Sequence, residues 1–157
     1  MAFETLLVER DDQVLIVRLN RPDRMNAVIE QMYLDLQAAL AEAREDPEVR
    51  ALVLTGPARR QPGGDKQAFR AGAALKEHGA GTRTAEQKRA YIELAHETTR
   101  QLYELPIPVV AAIHGPARGA GAEMAPNCDL VLMAHTARIA LPETRPGTMG
   151  GRGGTRP

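Results

Sequence analysis

The chain has 157 residues, which is enough for one domain with a hydrophobic core. Its 20 basic and 20 acidic residues balance, which argues against nucleic-acid or membrane-surface binding driven by bulk charge. A single cysteine, Cys128, excludes an internal disulfide and a cysteine metal cluster and fits a reducing cytosol. The N-terminus does not resemble a signal peptide, and no apolar run is long enough to span a bilayer. We therefore expect a cytoplasmic protein without a membrane or nucleic-acid partner.

The first elements are predicted from apolar periodicity. Phe3–Glu9 and Val14–Leu19 are rich in Val, Leu and Ile and predict a hairpin around the polar residues 10–13. From 29 to 45 apolar residues recur with helical spacing, which predicts an amphipathic helix that ends before Pro47. Val49–Thr55 is predicted as the next buried strand.

Residues 56–68 are predicted as a polar surface loop. A small-residue segment follows at 69–75 and leads into a short helical turn. Thr84 and Gln87 have the spacing of a capping box, so we expect a helix over 85–105. Pro106 and Pro108 end it.

Val109–Ile113 is a continuous apolar run, which is typical of a strand buried on both faces. A glycine-rich turn and a helix start at Ala120–Ala125 come next. Asp129–Met133 and Arg138–Leu141 are predicted as strands, and 147–157 as a flexible glycine-rich tail. Alternation of strands and helices indicates a single α/β domain over residues 1–157.

Two turns of small residues follow buried strands, at Ala71–Ala74 and at Gly119–Gly121. Two backbone N–H groups aimed at one point form an oxyanion hole, which stabilises negative charge on a carbonyl oxygen. Glu123 and Glu143 are predicted near the same end of the sheet, and a pair of carboxylates can hold a water and move protons. The residues alone leave an alternative open, in which Glu123 is an ordinary helix residue and Glu143 a solvent-exposed one.

These motifs resemble the crotonase superfamily of enoyl-CoA hydratases and isomerases almost from end to end. The similarity is carried by the N-terminal LNRPDRMNAV, by FRAGAALKE at 69–77, by PVVAAIHG to GAGAE at 108–123, and by CDL, LPET and GGT further on. The resemblance implies a crotonase-like (ClpP/crotonase) fold with a ββα spiral core. It also implies a hydratase that adds water to a 2-enoyl-CoA, with a place in fatty-acid metabolism such as β-oxidation.

Residue roles follow from the resemblance by position. The N–H groups of Ala73 and Ala120 would polarise the thioester carbonyl, and Glu123 and Glu143 would be the catalytic carboxylates. Arg24 would contact the nucleotide part of CoA, and a further group would border the thioester arm: Ala71, Ala74, Leu75 and Lys76. No metal or redox cofactor is implied, since CoA is part of the substrate.

The sequence departs from the family pattern in three places. Ala74 stands where the family commonly has Asp, and the loop 56–68 is longer than usual. Family members also continue with a mainly helical region that completes the acyl pocket and builds trimers or hexamers, so the resemblance implies that this region is lacking here. Two alternatives to a hydratase stay open: a Δ3-Δ2 enoyl-CoA isomerase, and a non-catalytic truncated remnant.

Overall fold

A hairpin begins the main sheet of this computed structural model, which describes residues 2–56, 69–70, 72 and 83–141. β1 (Leu6–Asp11) and β2 (Val14–Leu19) are antiparallel, with Asp11 opposite Val14. The predicted hairpin is confirmed, but β1 starts at Leu6 rather than Phe3 and continues to Asp11. Two residues therefore form the turn, and the first of them, Asp12, adopts a left-handed conformation with φ 51°.

Two long helices pack against each other beside the sheet. α1 spans Glu30–Glu45 and α2 spans Ala85–Tyr103. The capping box at the start of α2 is confirmed, because Thr84 Oγ1 accepts a hydrogen bond from Gln87 N and the Gln87 side chain accepts one from Thr84 N. The stripe predicted for α1 is buried: Met32, Tyr33, Leu36, Ala39, Leu40 and Ala43. In α2 the buried residues of the stripe are Tyr91, Ala95, Thr98 and Leu102.

Parallel strands complete the main sheet: β3 (Ala51–Thr55), β4 (Val109–Ile113) and β6 (Leu130–Met133). The order of this five-stranded sheet is β1-β2-β3-β4-β6. All three neighbouring pairs from β2 onward are parallel. Parallel pairing requires crossover connections, and the long helices follow β2 and β3 along the chain.

Burial alternates along the central strands. Val109, Ala111 and Ile113 are buried in one core with the helices, whereas Val110 and Ala112 are only half-buried. The expectation of a strand buried on both faces is therefore wrong for this part of the chain. The physical reason is that α1 and α2 pack into the core on one side of the sheet.

A small second sheet lies beside the glycine-rich turn. It pairs β5 (Pro116–Arg118) with β7 (Arg138–Ala140) in parallel. The helix α3 (Ala120–Met124) begins directly after β5, and Ala125–Asn127 continues it as a 3-10 turn. The sequence predicted this helix and β7, but β5 was not predicted.

Candidate active site

The segment that contains the first small-residue turn lies against β5. Arg70 pairs with Ala117 as a parallel bridge, in which Arg70 N donates to Pro116 O at 3.2 Å and Arg118 N donates to Arg70 O at 2.9 Å. Gly72 has φ +100°, which favours glycine, and a Cβ there would lie 3.2 Å from the carbonyl oxygen of Arg118. The structure thus brings the described part of the first turn to the start of the second.

The second turn leads into α3, which packs against Arg70. Gly119 precedes the helix with φ 49°, and its N–H donates to Ala140 O at 3.0 Å, which ties the turn to β7. Ala120 is the first helical residue and is buried. The first N–H groups of a helix have no acceptor within the helix, so the backbone here can donate to a ligand.

Glu123 is the buried carboxylate of this site. Its residue surface is only 1% exposed. Its own N–H donates to Gly119 O at 3.0 Å, and its carbonyl oxygen accepts from Asn127 Nδ2 at 2.6 Å. The helix backbone is therefore held at both sides of the residue, which fixes where the side chain starts.

A turn between β2 and α1 holds the other side of the first segment. Val28 N donates to Gly72 O at 2.8 Å, and Asn26 Nδ2 donates to Phe69 O at 3.2 Å. The Asn26 side chain also accepts from Arg21 N, and the residue itself is fully buried in a left-handed conformation with φ 53°. This turn includes Arg24, which is exposed and ends a short 3-10 helix.

The structure therefore places three of the predicted site residues, Glu123, Ala120 and Arg24, on elements that contact residue 69, 70 or 72. The others lie outside the described residues: Glu143, Ala73, Ala71, Ala74, Leu75 and Lys76. The loop 56–68 lies almost wholly outside them too, as does the tail 147–157. The roles of all nine site residues stay predictions.

Cys128 lies just after α3, but its environment does not favour a nucleophile. Burial, with a smaller contribution from the charge of Asp129, raises the pKa of the Cys128 thiol to about 12. The reactive thiolate is therefore scarce at neutral pH. Among the residues that the structure describes, His, Cys, Asp and Glu side chains form no cluster that could hold a metal ion. Within the same ranges, no helix combines the length and apolarity that crossing a bilayer requires.

Comparison with known proteins decides the family. The family model for enoyl-CoA hydratase/isomerase matches residues 9–156. The chain belongs to this family. A probable enoyl-CoA hydratase of Mycobacterium tuberculosis is 36% identical over 160 residues, which cover 99% of this chain and 56% of that protein. A crotonyl-CoA hydratase of Syntrophomonas wolfei is 32% identical over 156 residues and is likewise covered to 56%.

Solved structures confirm the expected crotonase-type fold. The enoyl-CoA hydratase of Bacillus anthracis superposes with a TM-score of 0.87 at 32% identity, covering 98% of this chain and 56% of that one. A putative enoyl-CoA hydratase/isomerase (crotonase) of Legionella pneumophila gives 0.84 at 26% identity. The chain thus spans just over half the length of the enoyl-CoA hydratase relatives that it matches.

The sequence analysis missed two residues that contact the elements of this candidate site. Asn26 was treated only as part of a motif, although its short polar side chain just after a Pro-containing turn is a signal for a left-handed backbone position. Arg70 carried no signal at all, because arginine is seldom fully buried, and yet it is fully buried here.

Proposed function

We propose that this chain carries an enoyl-CoA hydratase active site that adds water syn across the double bond of a 2-enoyl-CoA thioester. The observation that carries the proposal is Glu123, a carboxylate that is 1% exposed on α3. This helix packs against Arg70 through Gly121, and its first N–H groups have no acceptor within the helix. A buried carboxylate beside backbone donors suits proton transfer next to a developing oxyanion. The family of the chain supports the same activity.

In the proposed mechanism, the thioester oxygen accepts hydrogen bonds from the N–H groups of Ala73 and Ala120. This polarisation makes C3 of the enoyl group electrophilic. The water oxygen attacks C3 while one of Glu123 and Glu143 takes a proton from that water, and the π electrons move into the thioester as an enolate. The other glutamate supplies or relays the proton that C2 accepts when the enolate collapses to the 3-hydroxyacyl thioester. The two hydrogen-bond donors lower the barrier by stabilising the enolate oxygen.

The substrate contacts in this proposal lie around the first turn. Ala71, Ala74, Leu75 and Lys76 border the thioester arm, and Arg24 meets the nucleotide phosphates. The hydrogen bond from Val28 N to Gly72 O supports the place of Arg24, because it joins the turn that carries Arg24 to the site segment. The proposal needs no metal or redox cofactor, and it places the enzyme in the cytosol. It assigns no trimer or hexamer to this chain, because the resemblance implies that the region that builds these assemblies is lacking here.

The test is an assay of the purified chain with crotonyl-CoA. Hydration removes the absorbance of the conjugated enoyl thioester and adds the mass of one water, so absorbance and mass spectrometry should both report 3-hydroxybutyryl-CoA. A 3-enoyl-CoA assayed in parallel distinguishes a hydratase from an isomerase, because isomerisation creates the conjugated absorbance without a change in mass. Conversion of neither thioester by folded protein would overturn the proposal and favour the non-catalytic alternative.

A further inference from the structure

Arg70 is a buried charge that the proposed chemistry does not use. Its residue surface is 0% exposed, and it is the largest of the fully buried side chains that the structure describes. A guanidinium stays charged at all relevant pH values, and the removal of such an ion from water is strongly unfavourable. A buried charge of this kind therefore indicates that the contacts of the side chain have a structural or functional role.

The Arg70 side chain contacts two helices, α1 and α3. Its guanidinium carbon lies 5.3 Å from the ring centroid of Tyr33 on α1, and its Nη1 donates to Met124 Sδ on α3 at 2.9 Å. The Tyr33 ring in turn meets Tyr91 of α2 edge-on, with 5.7 Å between centroids. The main chain of Arg70 is bridged to Ala117 on β5.

The same residue sets the distance at which α3 packs. A Cβ at Gly121 would lie 2.5 Å from both the Cβ and the carbonyl oxygen of Arg70. Only glycine therefore fits at position 121 while α3 packs this close to Arg70. Gly121 and Met124, the two contact points, stand on either side of Glu123 in the chain. α3 has only five residues, and a helix that short has little stability of its own. Its position therefore depends on contacts like these.

We infer that Arg70 is a positioning residue, which holds α3 so that Glu123 and the Ala120 N–H keep their working geometry. The inference rests on the proposed function for its effect on catalysis. Arg70 is buried, so it acts on the substrate through α3 and not by direct contact. Loss of its contacts should therefore weaken interactions made in the transition state and leave thioester binding nearly intact. A displacement of about 1 Å can reduce turnover about 10²-fold.

The kinetic test compares three variants. Arg70→Met keeps a long side chain but removes both the charge and the planar guanidinium group. Arg70→Lys keeps the charge but not the guanidinium group. Arg89→Met, which changes an exposed arginine on α2, is the matched control. We expect kcat for crotonyl-CoA to fall about 10²-fold in Arg70→Met and by less in Arg70→Lys. KM should stay within about threefold, as when only transition-state interactions are lost. Parental kcat in Arg70→Met, or a loss that matches its unfolded fraction by circular dichroism, would overturn the inference.

A second measurement does not depend on activity. Hydrogen–deuterium exchange should accelerate in residues 119–125 of Arg70→Met while β1, β2 and β3 exchange as in the parent. Tyr33→Leu, which removes the ring that faces Arg70, should accelerate the same residues, and Tyr33→Phe, which keeps the ring, should not. If the parent lacks hydratase activity, the proposed function is wrong, and the exchange rates alone then test whether Arg70 holds α3. Unchanged exchange at 119–125 in both Arg70→Met and Tyr33→Leu would show that Arg70 does not hold α3.

Discussion

At the scale of single residues, Glu123 is the side chain on which the proposed chemistry depends most. We expect Glu123→Gln, which keeps the shape and removes the ionisable group, to lower crotonyl-CoA hydration by about 10²–10⁴-fold with an unchanged circular dichroism spectrum. We expect the same of Glu143→Gln. Glu93→Gln is the matched control, because Glu93 is exposed on α2. Turnover within a few-fold of the parent in both test variants would remove the two glutamates from the mechanism.

The Ala120 N–H can be tested separately from the Ala120 side chain. Ala120→Pro deletes the backbone donor, whereas Ala120→Gly keeps it. Ala120 is the first residue of α3, a position where proline is tolerated, so the fold should survive. We expect Ala120→Gly to retain much more hydratase activity than Ala120→Pro, which should lose about 10²–10³-fold. Equal rates from two variants with parental melting curves would exclude Ala120 as an oxyanion donor.

At the scale of elements, the capping box makes α2 testable without any assay of function. Thr84 Oγ1 accepts from Gln87 N at 3.2 Å, which satisfies one N–H that the helix itself leaves free. Thr84→Ala should lower the free energy of unfolding by about 1 kcal/mol, and Thr84→Ser should restore most of it. Urea denaturation measures both. Equal stabilities of the alanine and serine variants would mean that the cap does not contribute.

Asp35 ties α1 to the residues before β1. Its Oδ2 accepts from both Thr5 N and Thr5 Oγ1 at 2.7 Å, and its Oδ1 accepts from Gln31 Nε2 at 2.8 Å. Burial raises the pKa of Asp35, but these hydrogen bonds together outweigh it and hold the pKa below its ordinary value of 3.8. A depressed folded-state pKa means that the stability Asp35 contributes is fully present above the unfolded value and is lost as pH falls through the folded one.

We therefore expect Asp35→Asn to cost about 1–3 kcal/mol at neutral pH, since the amide cannot accept all three hydrogen bonds. The difference from the parent should shrink as pH falls below about 4, because Asp35 of the unfolded parent then binds a proton before Asp35 of the folded parent does. Urea titrations across this range measure it, with the exposed Asp11→Asn as control. A cost that does not change with pH would contradict the linkage.

The elements that could be predicted from sequence are those whose signal is local. The α1 stripe, the Thr84 cap and the strand β4 each depend on periodicity or on residues a few positions apart. β5 could not be predicted, because three residues inside a glycine-rich stretch become a strand by pairing with β7 and with Arg70, both distant in the chain. The burial of Arg70 is likewise decided by tertiary contacts with Tyr33 and Met124. For the site, sequence similarity could assign roles, while only the fold could show that Gly72 meets Arg118.

At the scale of the whole molecule, the described surface is unusual at β6. This strand is at the edge of the five-stranded sheet, and all four of its apolar residues are exposed, with Leu132 at 63%. Ile139 and Leu141, in and just after β7, are exposed as well. An apolar edge strand exposes unpaired N–H and C=O groups together with side chains that favour association.

We expect the isolated chain to self-associate through β6 and to bind a hydrophobic dye. Size-exclusion chromatography with light scattering measures the association. Leu132→Lys should reduce both association and dye binding, because a charge on an edge strand opposes pairing. Leu34→Lys is the matched control, since Leu34 is an apolar residue exposed on α1, away from the sheet edge, and should change neither. A parent that remains monomeric at every concentration tested and binds no dye would show that β6 does not drive association. Equal effects of the two lysine variants would show that added charge, rather than the edge strand, controls it.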